Sequence, residues 1–193
     1  MDFESFFGKT VLTFFGCFCP PHRGHYETLE RAIRDVRPNI VVVESMNSDN
    51  PEYSRHGIPL SFALKTWMQW SEFLSQKYGI TFYAVDNSSK FWFRTHPQRV
   101  ISIETIEDEN SLVEEGLRSL SRKGLSTVYW KNALNLETYS VKRDFTFSAT
   151  KFTALLREQN IEKCLDFVPL DLNHEEKMEY INTMLNDYGK YLK

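Results

Sequence analysis

From Thr10 to Phe15 the chain reads TVLTFF, a short β-branched and aromatic run closed by Gly16, which is the pattern of a buried strand. Behind it Tyr26, Leu29, Ile33 and Val36 recur at helical spacing, with Glu27, Glu30, Arg31, Arg34 and Asp35 largely on the opposite side. Pro38 and Asn39 stop that helix, and NIVVVES (39–45) then runs apolar without alternation, as a strand covered on both faces should. Strand, helix and strand in the first 45 residues make a βαβ unit with a right-handed crossover. After a polar loop from Met46 to Gly57, the spacing Leu60, Leu64, Trp67, Leu74 predicts a second helix ending near Gly79. ITFYAVD (80–86) predicts a third strand. An irregular aromatic stretch, NSSKFWFRTHPQ, leads into the extended RVISIETI. A helix over about 111–122, a strand at STVYW (126–130), a helix opening at Ser148 and a last amphipathic helix carrying Met178, Ile181, Leu185 and Tyr188 complete the pattern. The alternation predicts an α/β domain: a Rossmann-like parallel sheet with helices on both faces. Residues 1–170 form the main body and 171–193 a terminal helix docked on it.

In such folds ligands bind beyond the carboxyl ends of the strands, where a loop enters a helix. FGCFCPPHRGH (15–25) occupies that place. Gly16 permits a turn and a close backbone approach, Pro20 and Pro21 stiffen the loop, and Gly24 keeps the helix entrance open. First-turn amides and the helix dipole favour an anion there. His22 and His25 are three residues apart, so in a helical turn they share a face and together can hold a polyphosphate. A single histidine at this point would be no more than a cap. Two of them, with the glycines and prolines in this order, point to an anion site.

Composition narrows the classes. At 193 residues the chain is long enough for one core without disulfides. A net charge of −3 disfavours a general nucleic-acid binder. No apolar run is long enough to span a bilayer, and the opening MDFESFFGKT is acidic where an export signal is basic, so no membrane partner is expected. Cys17, Cys19 and Cys164 form neither a disulfide framework nor a zinc pattern, which suits a reducing, cytoplasmic setting.

Gly16, Phe18, Pro20, His22, Gly24 and His25 fill every position of G-x-F-x-P-x-H-x-G-H, and the chain thereby resembles the nucleotidylyltransferase superfamily. FSATKF (147–152) is similar to that family's second motif, I-S-S-T-x-I, with Ser148 as a helix N-cap and Ala149 and Thr150 in the first turn. The arginine that usually ends this motif is Thr153 here, so Lys151, Arg157 or the Lys142–Arg143 pair would have to supply the cation. Arg143 stands where the cytidylyltransferase form has its arginine. A weaker similarity, RHGIPLSFALKTW (55–67), places Arg55 and His56 beside the acceptor site.

The resemblance implies an enzyme of the HxGH type that transfers a nucleoside monophosphate, AMP from ATP in the first instance, to a small phosphorylated acceptor with release of pyrophosphate. It implies His22, His25 and Lys151 as catalytic groups. Gly16, Phe18, Pro20, Gly24, Arg143, Ser148, Ala149 and Thr150 would bind nucleotide. Arg55, Trp92 and Arg94 would bind the acceptor, of which nicotinamide mononucleotide fits best. Mg²⁺ is expected on the triphosphate, with no protein metal site, and a homo-oligomer is possible. Two rival expectations are a cytidylyltransferase acting on a phosphorylated alcohol and a sensor that binds nucleotide without turnover.

Overall fold

The structure, a computed structural model, describes residues 6–86, 97–106, 136–142 and 146–193. Its elements are β1 (Thr10–Gly16), α1 (Arg23–Val36), β2 (Ile40–Ser45), α2 (Leu60–Tyr78), β3 (Thr81–Asp86), β4 (Arg99–Ile106), β5 (Leu136–Lys142), α3 (Ala149–Arg157), α4 (Ile161–Leu165) and α5 (His174–Tyr188). The five strands are all parallel in the order β3-β2-β1-β4-β5, so the chain is a Rossmann-like α/β protein. β1 is central, and both its neighbours are reached by crossovers, which places its carboxyl end at the point where strand order reverses.

The apolar runs explain the layering. Leu12 and Phe14 of β1, Val41 and Val43 of β2, and Ile101 and Ile103 of β4 face one side. There they share a single core with Leu29 and Ile33 of α1, Trp67 and Trp70 of α2, Phe152 of α3 and Ile181 of α5. Val11, Ile40, Val42 and Val100 face the other side, where Phe6 packs on them. Many of the chain's aromatics build the first core. Phe14, Phe18, Trp67 and Trp70 contact one another in sequence at centroid distances of 4.7, 5.4 and 5.5 Å. Tilted and edge-on rings such as these gain beyond their buried area.

Two elements differ from the sequence expectation. β5 reads LETYSVK, largely polar and exposed, because it pairs with β4 alone in the described sheet. It is held by side chains at its surface: Arg99 grips Glu137, and the Tyr139 hydroxyl donates to Asp35. α4 has five residues, too few to show a helical period. On α5 the buried residues are Tyr180, Ile181 and Met184, while Leu185 and Tyr188 pack at the core's edge and Met178 is half-buried. The expected helix at 111–122 and strand at 126–130 lie outside the described residues.

The loop between β2 and α2 is braced rather than loose. Asn47 Nδ2 donates to Ile58 O at 2.8 Å, and its Oδ1 accepts from Arg55 N at 3.0 Å. Asp49 Oδ1 accepts from Ser61 N at 2.8 Å, capping a helix whose own N-cap residue is Pro59. Gly57, at φ 76°, lies so near the end of the chain that a Cβ there would stand 1.9 Å from Tyr191 O. Lys193 Nζ donates to Glu52 O at 2.6 Å and Ser54 O at 3.2 Å. Asp49→Ala should lower stability by about 1 kcal/mol, as loss of a helix cap does. The Ser61 amide and hydroxyl hold the Asp49 carboxyl below its ordinary range. Its contribution is therefore complete above the ordinary aspartate range and disappears as pH falls through the lowered value. Urea unfolding of both proteins across acidic pH measures the difference.

Candidate active site

Beyond the carboxyl end of β1 lies a cleft of about 350 Å³. Its lining brings together three segments far apart in sequence: Phe14 to Cys19 with His22, Gly24, His25 and Thr28; Arg55 and His56; and Phe147 to Thr150. No carboxylate is among these residues. The fold creates the meeting point because α1 and α3 both aim their N-termini at it, and neither carries an acidic residue in its first turn. Both ends therefore direct a positive dipole towards an anion.

The loop's shape is set from behind. Tyr180 Oη, in the core, donates to Pro21 O at 2.6 Å, and Arg23 N donates to Phe167 O at 2.6 Å. Burial raises the Tyr180 hydroxyl well above its ordinary range, so it stays a donor. His22 is the N-cap of α1, yet its side chain makes no cap hydrogen bond. Instead its ring stacks on that of His25 with centroids 3.7 Å apart, and Phe18 meets His25 edge-on at 5.0 Å. The two imidazoles thus form one unit against an aromatic wall.

Gly24 is where the two motifs touch. A Cβ there would lie 2.9 Å from Phe147 Cβ and 3.2 Å from the His22 ring. The Arg23 guanidinium sits 4.9 Å over the Phe147 ring and pairs with Glu27 at 2.6 Å. On α3, Ser148 caps the helix by accepting from Lys151 N at 3.2 Å. Thr153 is fully buried and turns its hydroxyl back to Ala149 O and Thr150 O at 2.9 and 3.1 Å. The position that carries arginine in the family motif here faces the interior. Arg157 lies at the opposite end of α3, roughly 12 Å along the axis from the first turn.

Of the residues singled out in the sequence, His22, His25, Gly16, Phe18, Gly24, Ser148, Ala149, Thr150 and Arg55 all line the cleft. Pro20 is buried and does not line it, and Lys151 is exposed just past the lining residues. Arg143, Trp92 and Arg94 lie outside the described residues. Cys17, Cys19, Thr28 and Phe147 line the cleft without having been assigned a role, and His56 joins Arg55 in it. His56 had only its place beside Arg55 as a signal. Its backbone is left-handed, at φ 60°, and its Nε2 is buried with no hydrogen-bond partner among the described residues. Burial and the neighbouring Arg55 charge lower its pKa, so the ring is neutral at neutral pH. A neutral imidazole beside a guanidinium can bind a phosphorylated group while also donating or accepting one hydrogen bond.

No family model matches the chain, and no curated protein matches it. Solved structures do. Thermotoga maritima TmcAL, crystallised with α-thio-ATP, superposes over 93% of this chain and 56% of its own, at 15% identity and a TM-score of 0.57. The chain therefore spans little more than half the length of that protein. Plasmodium falciparum nicotinic acid mononucleotide adenylyltransferase, complexed with NaAD, superposes over 93% of this chain and 98% of its own, at 12% identity and a TM-score of 0.54. At these identities the likeness establishes a shared fold.

Gly24→Ala should force the two motifs apart at Phe147. Affinity for inorganic tripolyphosphate, measured by calorimetry, is expected to fall on the order of tenfold or more, as misplaced binding groups do. The His56 imidazole should titrate below 6.5 by NMR, and Arg55→Gln should raise that midpoint by removing the adjacent charge.

Proposed function

We propose that this protein is a nucleotidylyltransferase that moves AMP from ATP to a small phosphorylated acceptor of the nicotinamide mononucleotide type. The observation that carries the reading is the convergence, in one cleft with no carboxylate among its described lining residues, of two helix N-termini and a stacked pair of imidazoles. A triphosphate is the ligand such a cleft suits: long enough to touch both helix ends and anionic throughout.

The reaction needs no enzyme nucleophile. An oxygen of the acceptor's phosphate attacks the α-phosphorus of ATP, the bond from that phosphorus to the β-bridging oxygen breaks, and pyrophosphate leaves. Catalysis is then alignment and stabilisation of charge on the α-phosphate oxygens. His22 and His25 would donate to those oxygens, held there by the Tyr180–Pro21 and Phe167–Arg23 hydrogen bonds. The first-turn amides of α3 and the Ser148 hydroxyl would hold the leaving phosphates, with Lys151, and Arg143 beyond the described residues, as cations. Arg55 and His56 would face the acceptor, with Trp92 and Arg94 assigned to the same side by resemblance. Among the described residues no cluster of His, Cys, Asp or Glu is arranged to hold a metal ion. Mg²⁺ would be carried in on the triphosphate oxygens, where it would neutralise phosphate charge. Both solved relatives bind adenine nucleotides by their names, which supports ATP over CTP.

Pyrophosphate release in the presence of Mg²⁺, with ATP and CTP each tested against nicotinamide and nicotinic acid mononucleotides, phosphopantetheine, glycerol 3-phosphate and phosphocholine, tests the proposal. Release is expected with ATP and a pyridine mononucleotide. His22→Ala and His25→Ala should each lower turnover about a hundredfold or more without changing the thermal melt. Release with CTP alone would replace the donor. Nucleotide binding without release across the panel would make the protein a sensor.

A further inference from the structure

The cleft also contains a reactive-thiol arrangement for which nucleotidyl transfer has no use. Cys17 and Cys19 both line it, on either side of Phe18. Phe18 adopts a left-handed backbone, φ 45°, which is rare for a bulky residue. Its ring is fixed in that position by Phe14, Trp67 and His25. The chain reversal at Phe18 brings Cys19 Sγ to 2.9 Å from Cys17 O, which also accepts from Ser45 Oγ at 2.9 Å.

The two thiols have opposite characters. The adjacent Cys19 side chain, helped by the positive Arg55, lowers Cys17 to about 7 even though burial pulls the other way. The neighbouring Cys17 thiol and burial push Cys19 far up, so Cys19 stays protonated and donates to Cys17 O. Among the described residues, the titratable or charged groups sharing the cleft with Cys17 are Cys19 on its own loop, Arg55 and His56 from the loop after β2, and His22 and His25 at the start of α1. None carries a negative charge that would oppose a thiolate. Cys17 is half-buried, whereas Cys164 is fully buried and pushed up to about 11 by that burial. Cys164 is therefore an internal control within the same chain.

We propose that Cys17 is a thiol-modification site for small-molecule disulfides, set in the floor of the cleft. In the step, the Cys17 thiolate attacks one sulfur of a disulfide RSSR. The S–S bond breaks, a Cys17–S–SR mixed disulfide forms, and the departing RS⁻ takes a proton from solvent. Cys17 is oxidised, the released sulfur is reduced, and excess thiol reverses the exchange. The cleft, at about 350 Å³, lies at the low end of ligand-pocket volumes, so an appended tripeptide thiol and a nucleotide compete for one space. That consequence rests on the nucleotide-binding reading above, whereas the modification itself does not.

The test uses the reduced full chain with glutathione disulfide, mapped by mass spectrometry, and with iodoacetamide for rates between pH 5.5 and 9. Modification should fall on Cys17 and spare Cys164, with the alkylation rate rising about a midpoint near 7. Cys17→Ser should abolish uptake and Cys164→Ser should not. Cys19→Ala should move the midpoint up towards the ordinary value of about 8.5, and Arg55→Gln should move it the same way if Cys19→Ala does not fold. An unmodified Cys17, or a midpoint already at the ordinary value, overturns the proposal. ATP binding to the reduced protein is measured alongside. Its absence would overturn the nucleotide reading, while the labelling results would still decide the role of Cys17.

Discussion

The near-contact of Gly24 with Phe147 is the constraint on which the cleft depends. Two helix N-termini can serve one anion only if they come within a few ångströms of the same point, and any Cβ at Gly24 would stand 2.9 Å from Phe147 Cβ. The packing behind that point keeps it closed. Phe147 meets Phe167 edge-on at 5.4 Å, Phe152 stacks on Phe167 at 5.2 Å, and Phe167 O accepts from Arg23 N. One aromatic thus ties the start of α1 to α3. A glycine in the first turn costs helix stability in isolation. Here the cost is offset by the site it permits.

A second consequence of this packing is rigidity where alignment matters. Tyr180, on the last helix of the chain, hydrogen-bonds Pro21 O while its ring stacks on Phe62 at 5.5 Å. The loop bearing His22 and His25 is therefore clamped by a helix 159 residues away in sequence. Tyr26 Oη reaches Asp171 at 2.8 Å and adds a second link between α1 and the C-terminal region. Side chains that must align on one ligand need such support, because small displacements of donors are costly.

The opposite wall is held in a different way. Arg55 and His56 sit on a loop with little apolar content, and hydrogen bonds from Asn47, Asp49 and Lys193 give it shape. The wall formed by the starts of α1 and α3, packed by ring contacts, faces one fixed by polar ties and by the close fit of Gly57 against Tyr191. The left-handed backbone at His56 fits this arrangement, since the strain at such a residue persists only where its surroundings hold it.

The sequence by itself determined four strands of the sheet and the two helix entrances. The apolar runs at Thr10–Gly16 and Ile40–Ser45, the helical spacing of Tyr26, Leu29 and Ile33, and the caps and glycines at 22–25 and 148–150 are local signals. Local signals survive in a single chain because each is fixed by neighbouring residues. β5 left no such trace, since its polar sequence is stabilised by Arg99 and Asp35 from other elements. Thr153 is similar: only its burial shows that this position on α3 faces the interior. The lowering of Cys17 by Cys19 and Arg55, and of His56 by burial and Arg55, arises where the loop after β2 meets the end of β1 in the cleft. Desolvation and through-space charge are properties of the assembled surface, so only the tertiary structure could decide them.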